Sequence, residues 1–183
     1  IVASVVLPFL PETPIQLLVE GLLYDFGQMT LPFDDVDQEI IRQPKRLDTT
    51  SLKHFMFFMG PVSSLFDLIV FAFLWFTFKV REVALFQTIW FTYSIVSNLV
   101  GMHIIRTAKI PFIQSNAHKA VYISSILLII IGILVPFTPL GTAIGLAPIA
   151  LKYIFMIFGV TFLYCIVASY AKKIYIKKYK EWI

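Results

Sequence analysis

The chain has 183 residues, of which 58% are hydrophobic, 16% are aromatic and only 14% are charged, and its formal net charge is +4. A soluble domain of this length carries far more charge, so this composition and a mean hydropathy of +0.83 exclude a soluble globular fold and indicate a polytopic membrane protein. The basic excess needs no nucleic-acid partner to explain it. The single cysteine, Cys165, excludes an intrachain disulfide and is expected to fill space in an apolar core.

The order of apolar segments predicts an all-α bundle of transmembrane helices. Residues 1–10 are too few to cross about 30 Å of hydrocarbon, so we interpret them as the end of a truncated helix. Five further segments are long enough to span the membrane: 15–33, 54–78, 85–105, 119–137 and 150–171. Residues 1–183 are therefore expected to form one membrane domain of five full spans plus the truncated first helix. The sequence begins at Ile1 with neither a methionine nor a basic leader. We therefore expect it to be a piece of a longer protein.

Basic residues in the connecting segments predict the orientation of the bundle. Nearly all Lys and Arg residues fall in three segments, 34–53, 106–119 and 172–180. The exceptions are Lys79, Arg81 and Lys152. This distribution places the long loops and the C-terminus in the cytoplasm. The basic tail is expected to anchor at anionic lipid headgroups, and segment 34–53 is either a solvated cytoplasmic loop or a docking surface for a cytoplasmic domain.

Acidic side chains inside the apolar segments are the strongest functional signal. Asp25 lies near the middle of segment 15–33, where a carboxylate costs roughly 2.5–3.5 kcal/mol on insertion scales and is usually retained for a use. At about 100° per residue, an arc of about 140° contains Glu20, Gly21, Tyr24, Asp25 and Gln28. We expect this face to look inward and predict a cation site whose metal ligands are Asp25 and Glu20. The competing interpretation is a carboxyl that is protonated or paired with another helix.

Two other segments carry polar faces that could support such a site. One face on segment 54–78 contains Gly60, Ser63, Ser64 and Asp67, and one on segment 85–105 contains Ser94, Ser97, Asn98 and Gly101. Asp67, Ser97 and Asn98 are candidates to orient or support bound cations, although such residues are also ordinary helix contacts in membranes. An inventory of oxygen ligands alone favours a hard cation such as magnesium.

The sequence carries no sign of a self-contained enzyme. It has no glycine-rich phosphate loop and no nucleophile elbow, so no catalytic residue is predicted. The histidines, His54, His103 and His118, share no ligand spacing and are expected to lie at the membrane interface instead of binding zinc or haem.

Several segments, taken in order, resemble the C-terminal membrane region of magnesium-transporting P-type ATPases. They are LPFLPETPIQLLVEGLLYDFGQMTLPFDDVDQE, RQPKRLD, GPVSSLFD, ALFQTIWF, HIIRTAKIPFIQS and PFTPLG. The resemblance runs from Ile1 almost to the end and implies that the chain continues from within the family's fifth membrane helix to its tenth. It also implies an ATP-driven importer of Mg²⁺ in a bacterial or archaeal plasma membrane, cycling through a phospho-aspartate.

The resemblance also implies roles for individual residues. Asp25 matches the acid of the family's sixth helix and would be the principal ion ligand, with Glu20, Tyr24 and the backbone near Gly21 secondary. Such pumps commonly carry Asn four residues before this acid, and the chain departs from them with Gly21. ATP and its Mg²⁺ would be bound by upstream phosphorylation, nucleotide and actuator domains, so these residues alone would not hydrolyse ATP.

Two other functions stay open at this point. One is an ion-coupled secondary transporter or channel subunit in which Asp25 and Asp67 relay protons or cations. Carriers generally show paired repeats, and the sequence has no second copy of the LLYDFG segment. The other is a membrane scaffold whose acids are neutral helix contacts and bind no ion.

Overall fold

The computed structural model describes residues 7–34, 49–179 and 182, and within these segments every regular element is a helix. The helices are α1 (Pro14–Gln28), α2 (Thr49–Ala72), α3 (Val83–Ile105), α4 (Lys119–Leu134), α5 (Pro139–Ala143) and α6 (Leu151–Tyr179). A π-helical turn, Phe73–Thr77, continues α2, and 3₁₀ turns follow α1 and α4 at Leu31–Phe33 and Val135–Phe137. With these turns included, α2, α3, α4 and α6 are long and apolar enough to cross a membrane. The predicted all-α transmembrane bundle is confirmed.

The first helix, α1, is shorter than the predicted span 15–33. It begins with a capping box in which Thr13 N donates to Gln16 Oε1 at 2.9 Å and Gln16 N donates to Thr13 Oγ1 at 3.4 Å. Pro14 occupies the first helical turn, where a missing N–H is tolerated. The helix ends at Gln28 after 15 residues, or about 22 Å of rise. It is therefore not among the helices that could cross a membrane by length alone.

The other predicted bounds differ from the structure at polar helix ends. The prediction for 85–105 lies within α3, and the prediction for 119–137 coincides with α4 and its 3₁₀ turn. The helix α2 begins at Thr49 instead of residue 54, and α6 ends at Tyr179 instead of residue 171. Helical hydrogen bonding therefore continues past the apolar part of both segments.

Two predicted segments fall partly outside the described residues. Residues 1–6 of the predicted truncated helix lie outside them, and the described residues 7–10 are not helical. Residues 35–48 of the predicted loop 34–53 also lie outside, while residues 49–53 form the first turn of α2.

The central helix of the bundle is α3. It contacts α1, α4 and α6, while α2 lies on α6 and α1 also contacts α4. Its side chains Phe91 and Leu99 are fully buried. A Cβ added to Gly27 of α1 would lie 2.8 Å from Leu99 Cδ2, and one added to Gly132 of α4 would lie 2.9 Å from Ile95 Cγ2. Both helices therefore contact α3 at the closest approach that glycine allows.

Lys172 on α6 closes the C-terminal end of α3, and its side chain is only 1% exposed. Its Nζ donates to three backbone carbonyl oxygens, those of Ile104 at 2.7 Å, Thr107 at 3.0 Å and Lys109 at 2.9 Å. The indole of Trp182 donates to the Ile105 carbonyl at 2.9 Å. The last carbonyls of a helix lack intrahelical partners and favour a nearby cation, so both contacts stabilise this end. The predicted role of Lys172 at lipid headgroups is wrong, because its ammonium group is buried against these carbonyls.

A buried ion pair ties three chain segments together at the same end of the bundle. Arg106, just after α3, pairs with Asp34, just after α1, at 2.5 Å, and the two side chains are 5% and 8% exposed. The second oxygen of Asp34 accepts from the backbone N–H of His118, the N-cap of α4, at 2.8 Å. Arg106 also donates to the carbonyl and hydroxyl oxygens of Ser115, each at 3.2 Å. The ends of α1 and α3 and the start of α4 are therefore held in one hydrogen-bonded cluster.

Candidate cation site

Glu20 is the predicted ligand that lies deepest in the bundle. Its side chain is 9% exposed, and Asn98 Nδ2 on α3 donates to Glu20 Oε1 at 2.9 Å. The other carboxylate oxygen, Oε2, is buried and has no hydrogen-bond partner among the described residues. A buried carboxylate oxygen in this state is costly unless a proton or a cation satisfies it. Glu20 therefore offers one oxygen fixed by an amide and one that can take a ligand.

A cavity of about 450 Å³ lies next to this pair, among α1, α2, α3 and α6. Four of the predicted site residues line it: Tyr24, Asp67, Ser97 and Asn98. The hydroxyl of Tyr93 donates to Asp67 Oδ1 at 3.4 Å, and the hydroxyl of Ser97 donates to the Ser94 carbonyl at 3.2 Å. The structure therefore brings the predicted supporting residues to one space, and Asn98 links that space to Glu20.

Four aromatic residues that were not among the predicted site residues also line the cavity: Phe55, Trp90, Tyr93 and Tyr164. Trp90 and Tyr93 precede Ser97 by seven and four residues, which is the spacing of one helix face, and this spacing could have identified them. Tyr164 lies on α6, and no local pattern connects it with the polar face of α3. Each of the two tyrosines adds a hydroxyl oxygen to the polar lining.

Asp25 lies on a different side of α1 from Glu20. The two residues are five positions apart, which at about 100° per residue is one full turn plus about 140° around the helix axis. The two carboxyls therefore cannot both face α3. Within the described residues Asp25 and Gln28 are exposed, and a Cβ added to Gly21 would meet no atom within 4 Å. The predicted polar face therefore splits, with Glu20 against the bundle and Asp25 on the open side of the helix.

Glu12 is an acidic residue near the site that the sequence analysis did not single out. It lies in the turn before α1, its side chain is 8% exposed, and it interacts with Glu20 and Trp90. Burial raises the pKa of Glu12 above its ordinary value of 4.5. Contacts with Glu20 and Trp90 lower this pKa again, but only in part. A residue in a turn belongs to no helical periodicity, so no sequence pattern pointed to it.

The available ligands are oxygens. Across residues 7–34, 49–179 and 182, no three His, Cys, Asp or Glu side chains come close enough to hold a metal ion by themselves. His103 is buried in the last turn of α3 next to the Ser125 hydroxyl at 3.0 Å, and His118 caps α4, while their predicted position at the membrane interface stays a prediction. A cation at Glu20 would therefore need neutral oxygens or water to complete its shell, an arrangement that suits Mg²⁺.

The sequence model of the family described as "Cation transporting ATPase, C-terminus" matches residues 9–174. The chain is 42% identical over 185 residues to "Magnesium-transporting ATPase, P-type 1" of Salmonella typhimurium (strain LT2), an alignment covering 100% of this chain and 20% of that relative. It is 38% identical over 182 residues to the protein of the same name from Escherichia coli (strain K12), covering 98% of this chain and 20% of the relative. The chain thus spans about a fifth of the length of these curated relatives. With more than half of its residues matched, the chain belongs to the family of cation-transporting ATPase C-terminal regions.

Proposed function

We propose that the chain is the C-terminal membrane region of an ATP-driven P-type magnesium importer and supplies part of its intramembrane cation site. The names of the relatives and four apolar helices support this proposal. The observation that carries it is the buried Glu20 carboxylate, which Asn98 holds by one oxygen at 2.9 Å beside a cavity whose wall includes Asp67, Ser97 and Tyr93. In this arrangement the C-terminus lies in the cytoplasm.

The proposed site combines both sides of α1. Asp25 is the principal ligand, and it faces helices of the pump other than those described for this chain. Glu20, Tyr24 and the backbone near Gly21 are secondary ligands on the inner side.

The neutral and acidic residues on the neighbouring helices support these ligands. Asn98 fixes the Glu20 carboxylate, while Asp67 and Ser97 add oxygens to the cavity wall. The rest of the pump binds ATP with its Mg²⁺ and provides the phosphorylated aspartate.

The physical basis of the proposal is charge neutralisation. A carboxylate surrounded by hydrocarbon or protein is costly when it has no partner, and a divalent cation removes that cost when it binds. Mg²⁺ gives up its water reluctantly, so a few carboxylate oxygens with retained water suit it. Phosphorylation would then shift a two-state bundle between conformations that bind the ion with different affinity.

The test uses the complete pump reconstituted in proteoliposomes, with Mg²⁺ uptake and Mg²⁺-dependent ATP hydrolysis as readouts. Asp25→Asn should abolish both. Asn98→Ala should raise the half-saturating Mg²⁺ concentration about tenfold or more, because a hydrogen bond to a charged group contributes about 1.5–3 kcal/mol. Gln28→Ala is the matched control, since Gln28 is an exposed polar residue on the same helix. Unchanged uptake and hydrolysis in Asp25→Asn would contradict the assignment.

The same assay separates the pump from the carrier and scaffold alternatives. A carrier that relays ions between Asp25 and Asp67 would transport without ATP. The cavity lining contains Asp67 but not Asp25, so the geometry offers such a relay no shared space among the described residues. A scaffold would show no saturable binding of Mg²⁺, Ca²⁺ or Mn²⁺ to the intact protein.

A further inference from the structure

Two buried carboxyl groups meet where α1 begins, and neither is fully satisfied. Glu12 Oε1 and Glu20 Oε2 are both buried, and neither has a hydrogen-bond partner among the residues that the structure describes. The two side chains are 8% and 9% exposed. They lie close enough to interact electrostatically, and Asp67 adds to the negative potential at Glu20. Glu12 and Glu20 therefore form one buried acidic pair.

The described residues provide no ion-pair partner for this charge. Among them, no Lys or Arg pairs with Glu12, Glu20 or Asp67. Two ionised carboxylates that face each other in a buried place repel strongly, so the pair needs either a shared proton or a bound cation. Asn98 donates to one oxygen of Glu20 but cannot neutralise its charge.

The position of the pair connects it with the cavity. Glu12 interacts with Trp90, and Glu20 accepts from Asn98, and both of these α3 residues line the cavity. Gln87 Nε2, near the start of α3, donates to the Leu10 carbonyl at 2.9 Å and so holds the turn that carries Glu12 against α3. Each of the two carboxyls therefore lies next to a residue that lines the cavity.

From this geometry we infer that Glu12 and Glu20 form an outer binding site for a hydrated divalent cation, at the end of the bundle where α1 begins. The inference rests on the proposed function, because it places this site on the path of the transported ion. By the predicted orientation, that end faces away from the cytoplasm, which is the side from which an importer takes its ion.

The chemistry of the pair suits this step. Mg²⁺ is commonly bound by one or two carboxylates while it keeps several of its water molecules. Two facing carboxylates can hold such an ion without removing its whole hydration shell. The ion then moves from the outer site past Asn98 into the cavity. Glu20 contributes oxygens at both places, whereas Glu12 contributes to the outer site alone.

The first experiment measures Mg²⁺ uptake by the complete pump in proteoliposomes. Glu12→Gln should raise the half-saturating external Mg²⁺ concentration by about tenfold or more, with little change in the maximal rate of uptake. Tenfold is the lower end of the loss of metal affinity that follows removal of a group supporting a metal site. Glu12→Asp should restore part of the affinity. Glu82→Gln is the matched control, because Glu82 is exposed and precedes α3 at the same end of the bundle. Equal Mg²⁺ affinity in Glu12→Gln and the unmodified pump would overturn the inference.

A second experiment separates this inference from the proposed function. Mn²⁺ bound to the purified full-length protein is counted by electron paramagnetic resonance, with no ATP present. Glu12→Gln should lose one Mn²⁺ that Glu82→Gln keeps, and Glu12→Asp should bind that ion more weakly. If the unmodified protein transports no Mg²⁺ but the Glu12→Gln variant binds one Mn²⁺ fewer than the unmodified protein, the proposed function fails and the outer site stands. If Mg²⁺ is transported and Mn²⁺ binding is the same in all variants, the pair shares a proton and the inference fails.

Discussion

Replacing Lys172 by Met tests how the described bundle is held together at the C-terminal end of α3. Met has a similar length and no charge, so it removes the ammonium group while filling most of the same volume. Three carbonyl oxygens lose a donor that now lies 2.7–3.0 Å away. A hydrogen bond from a charged donor contributes about 1.5–3 kcal/mol, although the three losses are not additive and water can partly replace the ammonium. We therefore expect a destabilisation of about 3 kcal/mol, because roughly 1 kcal/mol or more is lost for each of the three hydrogen bonds.

The neighbouring residue provides a matched control. Lys173 is exposed, so Lys173→Met removes the same charge from the same helix and should change stability by less than about 0.5 kcal/mol. The assay heats the detergent-solubilised full-length protein and measures how much remains monodisperse on size-exclusion chromatography. Lys172→Met should lower the midpoint by about 6 °C or more relative to Lys173→Met. Equal midpoints for the two variants would show that the buried ammonium does not stabilise α3.

Three further predictions use the same measurement. Gly27→Ala should destabilise the protein by about 1–3 kcal/mol, because the added Cβ would overlap a buried leucine of α3. Gly21→Ala should have no such effect, because the space around Gly21 is open, and equal effects of the two changes would refute the close contact. Arg106→Gln should cost about 3–5 kcal/mol and Asp34→Asn a similar amount, with the double variant costing less than the sum, because each single change leaves a buried charge unpaired. Without divalent cations, the contribution of Glu12 to stability should be largest below pH 4.5 and fall as the pH rises through the raised pKa of Glu12, since ionisation of a buried carboxyl opposes folding. Glu12→Gln should flatten that decline, and an unaltered pH profile would contradict it.

Hydropathy predicted the helices well because each long apolar segment must form a helix in a membrane. It failed at polar ends, where Thr49 begins α2 and Tyr179 ends α6, since hydropathy reports the surroundings of a residue and not its backbone hydrogen bonds. The predicted membrane anchor shows the same limit. Every hydropathy scale treats lysine as polar, yet Lys172 is buried because the end of α3 presents carbonyl oxygens to its ammonium group. Those acceptors come from a distant part of the chain, so the local sequence does not reveal them.

The candidate site was predictable in its chemistry and less so in its arrangement. The polar faces predicted Asp67, Ser97 and Asn98 as supporting residues, and the structure places all three at one cavity. The angle between Glu20 and Asp25 was visible in the sequence, but which of the two faces α3 depends on how α1 is rotated in the bundle. Tertiary packing sets that rotation, through contacts such as the glycine of α1 against α3.

The close contacts of Gly27 and Gly132 give the described bundle an uneven stiffness. Where α1 and α4 touch α3, no gap is left in which either helix could slide without displacing a buried side chain. On the opposite flank, α2 borders the cavity, and α2 also contains Pro61, which removes one backbone hydrogen bond. Any motion that changes the volume around Asp67 should therefore come from bending of α2, while α1 and α4 stay fixed against α3.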